Sequence, residues 1–225
     1  DADICASAIK TTGLQSVFDV MLPGSDEPLQ ITLNLPGRHN ILNALAAIAV
    51  AYELGVDKEA IRTALKNFAG IGRRMQMYGD IKLATGTITM VDDYGHHPTE
   101  VAATLQAVHS SWPEKRLVVV FQPHRYSRTL DLFEDFSSVL ADVDVLLISE
   151  VYAAGEEPIA GADARSLCAA IRQRGKVNPI FVEDINTVER ELASVLQEGD
   201  VLLTLGAGNI GRVASGLPQK LQEAA

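Results

Sequence analysis

"TITMVDDYGHHPTE", residues 87–100, decides the fold. Its first half is an apolar run that reads as a strand. Its second half sets Pro98 at a helix start with Glu100 just behind it. Proline suits the first turn of a helix, and an acid there suits the positive end of the helix dipole. Between strand and helix stand Asp92, Asp93, Tyr94, His96 and His97. Helix N-termini favour anions, so this turn reads either as a capped, decorated loop or as a ligand site.

The same rhythm continues toward the C-terminus. "RLVVVFQ" (116–122) leads to a helix at 130–141, and "DVLLIS" (144–149) to a Gly/Pro/Glu loop and a helix at 164–174. "PIFV" (179–182) leads to a helix at 187–198, and "DVLLTL" (200–205) to a short terminal helix. Apolar strands alternating with helices predict an α/β fold, its mostly parallel sheet covered by helices on both faces.

Toward the N-terminus the pattern differs. "LQSVFDVML" (14–22) and "LQITLNL" (29–35) alternate apolar and polar around "PGSDEP", which predicts a hairpin after a strand-poor polar opening. "HNILNALAAIAVAYEL" (39–54), closed by Gly55, reads as a helix apolar almost all round and therefore buried on most faces. A second helix is expected over 58–68 with Asp57 as its N-cap. "AGIGRRMQMYGD" (69–80) interrupts the pattern, so a boundary is placed near residue 72, giving segments 1–72 and 73–225.

Composition limits the function classes. The 225 residues are 47% hydrophobic with a formal net charge of -10, and no cluster of five Lys/Arg occurs, which argues against a nucleic-acid partner. The longest apolar run, Ile41–Tyr52, is too short and alanine-rich to span a bilayer, so no membrane association is expected. Cys5 and Cys168 are far apart and form no CxxC, which suits a reducing compartment. The absence of an initiator Met reads as a cut start.

In an open parallel sheet, ligands bind beyond the carboxyl ends of the strands. Three polar clusters occupy those ends: "DDYGHH" (92–97), "QPHRYSRT" (122–129) and "GAGNIG" (206–211). Arg125 and Arg128, with His124 beside them, offer bidentate capture of a carboxylate or phosphate; the bland alternative is a solvated loop paired with acids. "GAGNIG" matches G-x-G-x-x-G but follows the last strand, without an acid some 20 residues on, so a dinucleotide site is rejected in favour of a glycine turn. "GRRM" (72–75) reads as an exposed basic pair or as an arginine reaching a phosphate. Asn40 and Asn43 stand at the start of an apolar helix, where an amide needs a partner: a cap, the chain itself or a ligand. Zinc is a weak rival, because adjacent histidines rarely share one metal and no third spaced ligand is present. Serine hydrolysis is another weak rival, lacking G-x-S-x-G.

Taken together, "GRHNILNALAAIAVA", "GRRMQ", "VDDYGHHPTEV", "FQPHRYSRT" and "LGAGNI" resemble, in order and across nearly the whole chain, the Mur ligase family of ATP-dependent amide ligases. The resemblance implies that 1–72 is the C-terminal end of a central P-loop ATPase domain, seen as a hairpin plus helices. Residues 73–225 would then be a Rossmann-like amino-acid-binding domain. No G-x-x-x-x-G-K-[ST] occurs in these residues, so the chain by itself is expected to be inactive. The resemblance further implies bacterial, cytoplasmic peptidoglycan synthesis, in which L-alanine is joined to the carboxylate of UDP-N-acetylmuramate through an acyl phosphate. ATP and Mg2+ would be held mainly by parts outside this stretch, with no metal ligand here. By the same resemblance, Asn40, Asn43, Arg74 and Asp93 would serve the nucleotide. Tyr94, His96, His124, Arg125 and Arg128 would line the pocket for alanine and the muramyl carboxylate, the last four as catalytic residues. The alternatives are a murein tripeptide recycling ligase of the same family and a non-catalytic nucleotide- or anion-binding module.

Overall fold

The structure, a computed structural model, describes residues 2–223. Its contacts form two compact units, one of residues up to 71 with 103–113, the other of residues 72–102 with 114 onward.

The first unit carries an antiparallel sheet of β1 (Cys5–Thr12), β2 (Gln15–Met21) and β3 (Leu29–Leu33), with Val20 opposite Leu29 across the expected hairpin. Period-2 alternation puts Phe18, Val20, Leu29, Ile31 and Leu33 on one face. That face packs with Ile41, Ala44 and Ile48 of α1 (Arg38–Glu53) and Ile61 of α2 (Lys58–Asn67). Asp57 caps α2 as expected, accepting from Glu59 and Ala60 N–H. Two expectations are corrected here. The opening is not strand-poor: β1 pairs along β2 although nearly all its side chains are exposed. Nor is α1 buried on most faces, since only Asn40, Ile41, Ala44 and Ile48 are buried and Leu42 and Val50 are more than half exposed.

The second unit is a six-stranded sheet of order β4-β5-β9-β6-β7-β8. These strands are β4 (Gln76–Leu83), β5 (Gly86–Asp93), β6 (Leu117–Phe121), β7 (Val145–Ser149), β8 (Ile180–Val182) and β9 (Val201–Leu205). β4 is antiparallel to β5 and every other pairing is parallel. β6 and β9 are buried at every position, as strands covered on both faces must be. On one face Met90, Val118, Val120, Leu147 and Leu202 pack with α7 (Val188–Val195) and α8 (Ile210–Glu223). On alternate positions Phe121 meets Phe136 of α5 (Phe133–Val139), ring centroids 5.5 Å apart. The helices α3 (Pro98–Ser111), α4 (Tyr126–Asp131) and α6 (Ala164–Gln173) complete the connections.

Three details depart from the sequence reading. "MQMYGD" is not a break but most of β4. The helix expected at 130–141 is α4, α5 and a 3-10 turn, so helix begins at Tyr126 and Arg128 stands on it. The terminal helix is not short but runs 14 residues with Pro218 inside.

Chain order jumps from β5 to β6, and β9 fills the space between them. That reversal is the topological switch point, where an open α/β sheet leaves a crevice at its carboxyl edge. The turns after β5, β9, β6 and β7 all end there.

Candidate active site

The turn after β5 is built by its acids. Asp93 is 3% exposed, and its carboxylate accepts Met75 N–H at 2.8 Å and Gly95 N–H at 2.7 Å. It therefore shapes the turn and holds the 73–75 strand lead-in. Asp92 is fully buried, accepting Thr204 Oγ1–H at 2.6 Å and Arg73 Nε–H at 2.9 Å. Burial pushes the Asp92 carboxyl up, against the opposing pull of Thr204 and Arg73. Arg73 also donates to the Gly206 carbonyl, so its guanidinium ties the ends of β5 and β9 together. Arg74 is left more open, with a loose contact of 3.8 Å to Glu100 and its guanidinium 5.4 Å from the Tyr94 ring.

The start of α3 orders the histidines. Glu100 accepts from His96 N–H at 3.0 Å and His97 N–H at 3.2 Å, a capping-box arrangement. Burial raises the Glu100 carboxyl, but those two amides and the charges of His96 and Arg74 outweigh it and hold it below its ordinary range. His97 Nδ1 accepts Thr99 N–H at 3.3 Å, so His97 is a helix cap and lies exposed. His96 Nδ1 lies 3.1 Å from the Tyr94 carbonyl and 3.3 Å from Glu100 Oε2.

The turn after β6 meets it. His124 and His96 ring centroids are 5.8 Å apart, and His96 and Tyr94 are 5.3 Å apart. Arg128, one helical turn on, donates from Nη1 to His124 Nδ1 and to the His124 carbonyl, both at 3.2 Å. Burial depresses the His124 pKa, and the neighbouring charges of Arg128, His96 and Arg125 push it further down. Both effects favour the neutral ring. Tyr94, His96, His124, Arg125 and Arg128 therefore share one rim of one sheet.

The turn after β7 supplies residues that the sequence reading passed over. Tyr152 stacks on His124 at 5.5 Å with an interplanar angle of 18°. Arg125 N–H donates to the Tyr152 carbonyl and Tyr152 N–H to the Pro123 carbonyl, joining the two turns by a parallel bridge. Glu156 accepts Ser127 N–H at 3.0 Å and Ser127 Oγ–H at 2.7 Å, with Arg125 Nη1 at 3.5 Å. This grip matters because Arg125 holds φ 72, a left-handed conformation that a side-chain-bearing residue adopts only when its surroundings impose it. The one available signal was position: Tyr152 and Glu156 follow the carboxyl end of an apolar strand, as the three polar clusters do.

"GAGNIG" is a structural turn beside the site. Gln122 donates to Asn209 Oδ1 at 2.7 Å and accepts Ile210 N–H at 3.0 Å. At Gly206, with φ 144, a Cβ would stand 2.7 Å from the Gln122 carbonyl, so only glycine fits.

The remaining expected residues lie in the first unit. Asn40 is buried and its amide donates to the Pro36 carbonyl at 2.7 Å, within its own chain. Asn43, on the same helix, is exposed. Among the described residues no group of three or more His, Cys, Asp or Glu forms a metal cage, and no helix is long and apolar enough to cross a membrane.

This rim, an aromatic–imidazole row flanked by guanidiniums at a switch point, coincides with a family match. The model for the Mur ligase glutamate ligase domain matches residues 73–208. The chain belongs to the Mur ligase family. The Mur ligase middle-domain model matches residues 1–51. Among curated Mur ligases, the chain is 60% identical over 219 residues to the UDP-N-acetylmuramate–L-alanine ligase of Methylococcus capsulatus, covering 97% of this chain and 46% of that protein. It is 56% identical over 220 residues to the same-named ligase of Neisseria gonorrhoeae, covering 96% and 47%. The crystal structure of UDP-N-acetylmuramate–alanine ligase from Thermotoga maritima superposes with TM-score 0.81 at 27% identity, over 100% of this chain and 47% of that one. The chain thus spans about half the length of the curated Mur ligases it matches.

Proposed function

We propose that these residues are the amino-acid-binding part of an ATP-dependent ligase joining L-alanine to the carboxylate of UDP-N-acetylmuramate in bacterial cytoplasmic peptidoglycan synthesis. The observation that carries the reading is the meeting of the Tyr94–His96 turn with the His124–Arg128 turn, at one rim, with His96 and His124 5.8 Å apart. The identities of 56% to 60% with ligases named for L-alanine support that amino acid over the tripeptide of the recycling ligase.

Arg125 and Arg128 supply positive charge for a carboxylate, and Tyr94, beside His96 at the same rim, would pack against the methyl side chain. His96 and His124 orient the reacting ends of the amino acid. Bringing amine and activated carboxyl together removes most of the entropic cost of their encounter, and excluding water protects the activated acid from hydrolysis. When bound, ATP with its Mg2+ supplies the phosphoryl group that activates the muramyl carboxylate as an acyl phosphate. Arg74 fits a nucleotide phosphate, being half-open with only a loose acidic partner; Asn43, exposed at the start of α1, is a second nucleotide contact. Asn40 and Asp93 serve the nucleotide indirectly, since their polar atoms hold Pro36 and the Met75 and Gly95 amides. The ligands of Mg2+ and the P-loop are proposed to lie outside residues 2–223.

Phosphate release by the complete gene product tests the reading. It is expected to need ATP, UDP-N-acetylmuramate and L-alanine together. Equal turnover with a tripeptide in place of L-alanine would favour the recycling reaction, and nucleotide binding without any turnover would favour a binding module.

A further inference from the structure

The two rim histidines are fixed by partners of opposite character. His96 Nδ1 faces the Tyr94 carbonyl at 3.1 Å and Glu100 Oε2 at 3.3 Å. Both are acceptors only, so Nδ1 carries the proton, and in the neutral ring Nε2 holds the lone pair. His124 Nδ1 faces Arg128 Nη1 at 3.2 Å. A guanidinium only donates, so Nδ1 is the acceptor and Nε2 carries the proton. A doubly protonated His124 would set N–H against N–H, with Arg125 adding further positive charge and only Glu156 opposing it.

Neither Nε2 has a hydrogen-bond partner among the described residues, yet no buried side-chain nitrogen there lacks one. Both Nε2 atoms are therefore open to solvent. The rim thus presents one bare acceptor and one bare donor on rings 5.8 Å apart.

We propose that His96 and His124 are held as opposite tautomers and read the two ends of a small zwitterionic amino acid. His96 Nε2 takes a proton from the ammonium, and His124 Nε2–H donates to the carboxylate. The assignment rests on the ligase reading and deepens it. In the reaction one ammonium proton passes to His96 Nε2, leaving an imidazolium paired with Glu100. The freed amine lone pair forms the C–N bond to the activated carbonyl carbon. The C–O bond to phosphate then breaks, and the departing phosphate takes the second nitrogen proton. His96 returns its proton to solvent. Arg125 and Arg128 contribute charge around the carboxylate, while His124 contributes direction. Tyr152, stacked on His124, and Tyr94, edge-on to His96, keep the two ring planes fixed.

The test has a spectroscopic and a kinetic arm, both on the complete gene product. With histidine 15N-labelled, long-range proton–nitrogen correlation at mildly alkaline pH reads each tautomer directly, with peaks assigned by their loss in H96Q and H124Q. His96 is expected as Nδ1–H and His124 as Nε2–H; the opposite form at either position overturns the proposal. In kinetics, glutamine can donate from the Nε2 position but cannot take up a proton. H124Q should therefore recover most of the roughly tenfold rise in alanine KM seen in H124A. H96Q should stay about 100-fold down in kcat, like H96A. Wild-type protein that never turns over L-alanine overturns the ligase reading itself. Turnover by wild type with glutamine restoring both positions, or neither, overturns only the histidine assignment.

Discussion

Side chains at the rim are held by their neighbours. Arg128 takes up His124 Nδ1, and Glu156 takes up Ser127 and Arg125. Glu156 is a positioning residue for the arginine turn, so Glu156→Ala should raise the alanine KM of the complete gene product roughly tenfold and leave the ATP KM unchanged. A matching rise in both would mean that the turn, rather than the amino-acid clamp, has been lost. The His124 pKa is depressed below 6.5 by burial and by the Arg128 charge. Protonation is thus disfavoured in the folded state. The linked stability is complete above 6.5 and declines as pH falls below it. In an NMR titration the His124 midpoint should lie below 6.5, and Arg128→Ala should move it upward by removing the opposing charge. An unmoved midpoint would show that the Arg128 charge does not help to set it.

At the scale of elements, the site exists because four strand ends are cross-tied. Arg73 joins β5 to β9 through Asp92 and the Gly206 carbonyl. Arg73→Ala leaves Asp92 buried and uncompensated, and should destabilise the protein by about 3 kcal/mol in denaturant unfolding. A loss under half of that would mean that Thr204 alone satisfies the acid. The parallel strands were legible in the sequence because both their faces are buried, so "LVVVF" is wholly apolar and "VLLTL" is broken only by Thr204, whose hydroxyl is spent on Asp92. β1 and β4 were not legible, because edge strands whose side chains are nearly all exposed, as in β1, or mostly half-buried, as in β4, keep no alternation to read. α4 was hidden by Arg125, whose positive φ makes a helix start without a capping side chain. The rim residues Tyr94, His96, His124, Arg125 and Arg128 were legible from their place after apolar strands. Tyr152 and Glu156 were not, since a loop of Ala, Gly and Glu looks like a plain connection until it is seen against Arg125. The inward turn of Asp93 depended on Met75, 18 residues away, which no local pattern reveals.

At the scale of the molecule, these residues hold the rim but no P-loop sequence, and they span about half of the Mur ligases they match. Isolated residues 1–225 should therefore bind ATP far more weakly than the complete gene product, a difference that calorimetry reads directly. Everything proposed about chemistry depends on the arginine turn and the histidine turn enclosing one amino acid, with its carboxylate on the arginine turn. The most direct test is the steady-state alanine KM of the complete gene product carrying Arg128→Ala. The alanine KM should rise at least about tenfold while the ATP KM holds; an alanine KM equal to that of the unaltered protein would contradict the account.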